Sequence, residues 1–166
     1  MTSPRESLSV LAMLIIHEDL IAQLYEIYAR KIKGYEQFWA DLSHEEVAHA
    51  SALCQVNPKK LRNRQLNPRI VLTSLDYLRI LLANTQRDVS PYVALFTALQ
   101  VEKSILEQRF YEPRNDDDNV TRRVFSSMAR ETEGHIASLE KAMKDLAQQR
   151  KEDAKTTAAP QSPNSA

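Results

Sequence analysis

Apolar side chains recur along this sequence at alternating steps of three and four residues, in four long segments. That spacing places them on one face of an α-helix, the face that packs against other helices. The 166 residues include only 2 glycines and 7 prolines, and strong helix formers are abundant. The sequence therefore predicts an all-α protein whose core lies between helices packed side by side.

Proline and glycine mark the predicted helix boundaries, because proline disrupts a helix interior and glycine often follows a helix end. We predict four long helices, over about residues 5–33, 35–55, 91–113 and 118–151. An extra, shorter helix is predicted at residues 68–87, within the long crossover between helices 2 and 3. This order is typical of the ferritin-like four-helix bundle, and an irregular helical bundle without a site is the alternative.

The length predicts one domain, residues 1–151, followed by a disordered tail at residues 152–166 that has no apolar stripe. With 22 acidic and 22 basic side chains, the sequence gives no electrostatic reason to expect a nucleic-acid partner. The longest apolar run, residues 11–16, is too short to span a membrane, and no secretory signal is evident. We therefore expect a cytoplasmic protein. The single Cys54 excludes a four-cysteine iron site and is expected to be a small buried side chain.

Polar residues occupy the middle of each apolar stripe. They are Glu18 in helix 1, Glu46 and His49 in helix 2, Glu102 in helix 3, and Thr132 and His135 in helix 4. A buried carboxylate is costly unless it is protonated or a cation neutralises it. Three carboxylates and two imidazoles at the same depth favour a shared partner, and these ligands suit a pair of iron or manganese ions.

Part of this pattern occurs twice. Glu46-x-x-His49 in the first half corresponds to Thr132-x-x-His135 in the second, and a glutamate precedes each histidine by 31 or 33 residues. The repeat indicates an internal duplication folded about a pseudo-two-fold axis. Thr132 stands where the second copy should have a carboxylate, although it could also be an ordinary core threonine bonded to its own helix.

The predicted metal ligands are the charged stripe residues and one further carboxylate: Glu18, Glu46, His49, Glu102, His135 and Glu131. Glu131 lies four residues before His135, on the same helix face, and could compensate for Thr132. Its alternative is a solvated helix charge, as expected for Glu45. Tyr25 could hydrogen-bond a ligand or belong to the core, whereas His17 and His44 lie off the stripes and are expected to be solvated.

At these positions the chain resembles the rubrerythrin branch of the ferritin-like superfamily, over about residues 8–147. The matching residues are Glu18, Tyr25 and Ala29 in helix 1, residues 36–39, Leu42, Glu45, Glu46, His49 and Ala50 in helix 2, Ala98, Leu99, Glu102, Ser104, Ile105 and Glu107 in helix 3, and Glu131 and His135 in helix 4. The resemblance implies a bundle holding two irons, often as a homodimer, that reduces peroxide or oxygen or oxidises ferrous iron.

Two departures from that family shape the expectation. Rubrerythrins proper carry a four-cysteine rubredoxin-like domain, so electrons here would come from a separate donor such as a rubredoxin-type protein. Thr132 replaces a carboxylate that in the family bridges or closes over the metals, so the second ion should bind less tightly. The alternative is a ferritin-like binding or structural protein with a degenerate site, holding one metal ion or none.

Overall fold

The computed structural model describes residues 9–61 and 66–157, and within these ranges its secondary structure is helical, with no strand. The helices are α1 Val10–Lys31, α2 Glu36–Leu53, α3 Pro58–Leu61, α4 Pro68–Asn84, α5 Pro91–Glu107 and α6 Asn119–Thr157. The predicted all-α class is confirmed. Among the described helices, none combines the length and the apolar character needed to cross a membrane.

Polar side chains cap the starts of α1 and α5, where the first backbone N–H groups lack partners within the helix. Ser9 accepts from the N–H of Ala12 at the start of α1, and Ser90 accepts from the N–H of Val93 at the start of α5. Helix α1 begins at Val10, after the extended backbone of Ser9, and residues 5–8 of the predicted helix 1 lie outside the described residues.

Four helices end earlier than predicted, and for α2 and α4 the difference is two and three residues. Helix α1 stops at Lys31, and Gly34 then takes a φ of 84°, a left-handed conformation that glycine adopts without strain. Helix α5 stops at Glu107 rather than near residue 113, and Arg109 has a φ of 55° in the turn that follows. That turn brings Phe110 and Tyr111 back into the core.

Helix α6 instead continues beyond residue 151 to Thr157, so its predicted end is too early. Hydrogen bonds between residues four apart support the extension, from Gln148 to Glu152 and from the Thr156 hydroxyl to the Glu152 carbonyl. Residues 158–166 lie outside the described residues, so the disordered tail stays a prediction there.

Packing pairs α1 with α2 and α5 with α6, and α2 also meets α6. Helix α1 has a second partner in α4. It therefore buries two stripes rather than one: the predicted stripe with Glu18, Ala22 and Tyr25, and a second formed by Met13, His17, Ile21, Leu24 and Tyr28.

Cys54 is exposed, so the prediction of a buried thiol is wrong. It follows the fully buried Leu53 at the end of α2, and one residue further along a helix points about 100° away. Its Sγ lies 3.4 Å from the carbonyl oxygen of Ala50 in its own helix.

Candidate metal centre

Five of the six predicted ligands come together in the core as two overlapping groups. Glu18, Glu46 and His49 form one group, and Glu46, Glu102 and His135 form the other. In each group, one ligand atom per residue lies within 4.8 Å of the others, and all five residues are buried. Glu46 belongs to both groups, so its carboxylate lies between them.

The two groups have nearly the same dimensions. The Nδ1 atom of His49 lies 2.9 Å from Glu46 and 3.5 Å from Glu18, and the Nδ1 atom of His135 lies 2.9 Å from Glu46 and 3.5 Å from Glu102. The imidazole rings stack with centroids 5.7 Å apart. These equal distances agree with the pseudo-two-fold arrangement expected from the repeat.

A carboxylate on another helix contacts the Nε2 atom of each histidine. The Nε2 atom of His49 lies 2.7 Å from Glu131 on α6, and that of His135 lies 2.7 Å from Glu45 on α2. A carboxylate accepts hydrogen bonds, so these contacts place a proton on Nε2 and direct Nδ1 toward the cluster. In this conformation Glu131 belongs to neither group of possible ligands.

Glu45 makes the same type of contact as Glu131, although the sequence predicted a solvated charge. Its side chain remains about half exposed, so burial alone would not have identified it. The available signal is its position, because a glutamate lies four residues before each of the two histidines.

Two buried tyrosines hydrogen-bond to the outer carboxylates. The Tyr25 hydroxyl donates to Glu102 Oε1 at 2.7 Å, in agreement with one of its two predicted roles, and the Tyr111 hydroxyl donates to Glu18 Oε1. Burial and the neighbouring negative charges raise the pKa of Tyr25 and of Tyr111 well above the ordinary tyrosine value, so both remain donors. Tyr111 was not predicted, because it lies in a turn outside every apolar stripe.

His17 is also part of the site, and the prediction that it is solvated is wrong. It is fully buried, with Nδ1 3.3 Å from Glu18 Oε1 and Nε2 2.7 Å from the Ser74 hydroxyl. Helix α4 covers this side of α1 and is the reason for the burial. His44 is exposed, as expected.

In the metal-free protein, protons partly neutralise the cluster. Burial and the nearby Glu102 raise the pKa of Glu46 to about 8. Burial lowers the pKa of a histidine, but the negative charges of the adjacent carboxylates outweigh it. Glu18 and Glu46 raise the pKa of His49 to about 11, and Glu102 and Glu46 raise the pKa of His135 to about 11. Burial also opposes ionisation of Glu18, yet its histidine partners hold the pKa of that carboxyl below its usual range. The side chains of His49 and His135 are therefore imidazolium ions, and their positive charges lie beside the carboxylates of the cluster.

These protons do not satisfy every buried polar atom. Glu46 Oε1, Glu102 Oε2 and His135 Nδ1 are buried without a hydrogen bond. The last of these lies 2.9 Å from Glu46 Oε1, but distance alone does not make a hydrogen bond when the angles are unsuitable. An unsatisfied buried polar group costs about 1–3 kcal/mol. A metal ion would accept lone pairs from Glu46, Glu102 and His135 once His135 had lost its Nδ1 proton, and the geometry of these buried groups could hold one.

Thr132 is buried one helical turn before His135, at the place that matches Glu46 in the repeat. Its hydroxyl is a neutral and weak ligand compared with a carboxylate. The centre therefore combines three carboxylates and two imidazoles rather than four carboxylates and two imidazoles.

Comparison of the chain with protein-family models, curated proteins and solved structures gives no match.

Proposed function

We propose that this protein is an iron-binding oxidoreductase of the rubrerythrin type, built on a ferritin-like bundle around a centre for two metal ions. The observation that carries the proposal is the pair of buried Glu and His groups that share Glu46. A single buried ion pair would serve as a polar core contact. Two matched groups that share Glu46, with three unsatisfied ligand atoms in the Glu46–Glu102–His135 group, are better explained by two cations.

In this proposal Glu18 and His49 would hold one ion and Glu102 and His135 would hold the other. Glu46, which belongs to both groups, would contribute its carboxylate to the centre. Oxygen and nitrogen ligands of this kind suit iron, with manganese as a second possibility. A pair of ferrous ions would supply the two electrons needed to reduce hydrogen peroxide to water, or would itself be oxidised by oxygen.

The protein's own groups prepare the ligands for that role. Glu131 and Glu45 orient the two imidazoles, and Tyr25 and Tyr111 donate to the outer carboxylates. Such outer contacts restrict each ligand to one direction before the ion arrives, which strengthens binding. The buried surroundings limit the access of bulk water to the ligand atoms.

The proposal includes a separate electron donor of the rubredoxin type, since one cysteine cannot form a four-thiolate iron site. We also propose a homodimer, which the resemblance to rubrerythrins implies, and a cytoplasmic location, which we expect from the sequence. Peroxide consumption that requires an added rubredoxin and its reductase would support the assignment of the donor.

The central test compares Glu46→Gln with Glu133→Gln, which changes an exposed carboxylate of α6. Elemental analysis after anaerobic loading with ferrous iron should give about two ions per chain for the unaltered protein and for the control, and fewer than one for Glu46→Gln. An unaltered chain that holds fewer than about one iron would rule out the two-metal centre.

Thr132 favours a second candidate, a binding or structural bundle whose site has lost one or both metal ions. This candidate predicts that Glu46→Ala changes neither the melting temperature nor the iron content. The two proposals therefore give opposite results for substitutions at the same residue.

A further inference from the structure

The Glu18 carboxylate is connected to the crossover helix α4 through His17. The Ser74 hydroxyl lies 2.7 Å from His17 Nε2, and His17 Nδ1 lies 3.3 Å from Glu18 Oε1. An edge-to-face contact with Phe110, at a centroid distance of 5.4 Å, supports the same ring. The imidazole is fully buried, so bulk water does not compete for its nitrogen atoms.

The chemistry of the partners fixes the direction of these hydrogen bonds in neutral His17. An ionised carboxylate only accepts, so the proton must be on Nδ1 for the ring to bond Glu18. Nε2 then carries a lone pair, and a serine hydroxyl can donate to it. Ser74 thus selects the form of His17 that donates to Glu18.

The matching carboxylate of the second group has no such support. Glu102 accepts from Tyr25 on Oε1, but its Oε2 has no hydrogen bond, and the residue before it is Val101. Glu18 Oε1, in contrast, accepts from Tyr111 and is also contacted by His17. The two groups have equal distances between histidine Nδ1 and the carboxylates. The orientation of Glu18 is restricted by two neighbours, Tyr111 and His17, whereas that of Glu102 is restricted by Tyr25.

We infer that Ser74 is a positioning residue for the centre: through His17 it fixes Glu18, and it makes the Glu18–His49 half the tighter of the two metal sites. A ligand fixed before binding loses less conformational entropy when the ion arrives, which is why orienting contacts strengthen metal binding. The inference rests on the proposed metal-binding function and adds an unequal pair of sites to it.

Ser74 can be changed without opening the core. It is only partly buried and lines a cavity of about 470 Å³ together with residues of α4 and α5. Ser74→Ala removes one hydroxyl at that wall. The neighbouring Thr73→Ala is a matched control. The Thr73 hydroxyl donates to the Arg69 carbonyl of its own helix at 2.9 Å, whereas the hydrogen bonds of His17 go to Ser74 and Glu18.

The experiment is a cobalt(II) titration of the metal-free full-length chain, followed by visible absorption, which reports the ligands around each ion. The unaltered chain and Thr73→Ala should bind two ions in two separate steps. Ser74→Ala should weaken the tighter step about tenfold and alter the spectrum at one equivalent. The second step should keep its affinity, and Ser74→Thr, which retains a hydroxyl, should restore the first.

The possible results separate the two proposals. If the unaltered chain takes up no cobalt, both the metal-binding function and the positioning role fail. If it binds two ions and Ser74→Ala gives the same affinities and spectrum, only the positioning role fails. Equal weakening of both steps would also overturn it, because a general structural effect does not distinguish the halves.

Discussion

Proton release is a direct consequence of the charge state of the metal-free centre. At pH 7, His49 and His135 have pKa values of about 11 and Glu46 has a pKa of about 8, so all three carry a proton. Each must lose that proton to act as a metal ligand. Binding of two divalent ions at pH 7 should therefore release about three protons, two from imidazoles and one from the shared carboxyl.

The number should also depend on pH. Near pH 9.5 the Glu46 carboxyl is already ionised, whereas the two imidazoles still hold their protons. The release should then fall to about two protons per two ions. The apparent affinity should rise with pH, because fewer protons compete with the metal.

The assay is a zinc titration of metal-free protein by calorimetry in buffers of different ionisation enthalpy, repeated at pH 7 and near pH 9.5. Zinc avoids oxidation during the measurement. His44→Gln is the control, since His44 is exposed and should not change the count. Release of one proton or none at pH 7 would refute the reasoning, because the histidines would then be neutral or would not bind the ions.

Four further outcomes follow from the same site. Metal-free protein should become less stable to thermal unfolding from about pH 5 to pH 9, since unfolding returns Glu46 and His49 to their ordinary pKa values and the unfolded chain then binds fewer protons. Tyr25→Phe should lower the unfolding free energy by about 1.5–3 kcal/mol in chemical denaturation, because it removes a donor from buried Glu102. Glu131→Gln should weaken metal binding about tenfold in a competition assay with a chelator. After loading with less iron than saturates the unaltered protein, Thr132→Glu should raise the iron content if the rest of the centre is intact, and an unchanged content would favour the degenerate site.

The helical period explains why much of the site could be predicted. Side chains three and four residues apart share a face, so a polar residue inside an apolar stripe must enter the core at a known height. Glu18, Glu46 and Glu102 were found in this way, and the structure brings their carboxylates together. The order of residues within each helix is enough to predict that these three carboxylates enter the core.

The remaining residues depend on tertiary contacts that no local pattern encodes. His17 is buried because α4 covers a second side of α1, and the position of α4 is not specified by the sequence of α1. Tyr111 reaches Glu18 from a turn with irregular backbone. Glu45 is half exposed, so the hydrophobic pattern gave no indication of its contact with His135.

The histidine on α2 is oriented by a carboxylate on α6, and the histidine on α6 by a carboxylate on α2. This reciprocal arrangement bears on how such a centre can arise. Glu45 of the first repeat orients His135 of the second, and Glu131 of the second orients His49 of the first. In neither repeat is the Nε2 atom of the histidine contacted by a glutamate of the same repeat. If the two halves arose by duplication, a half-length ancestor could have completed this arrangement only by associating with a second copy of itself.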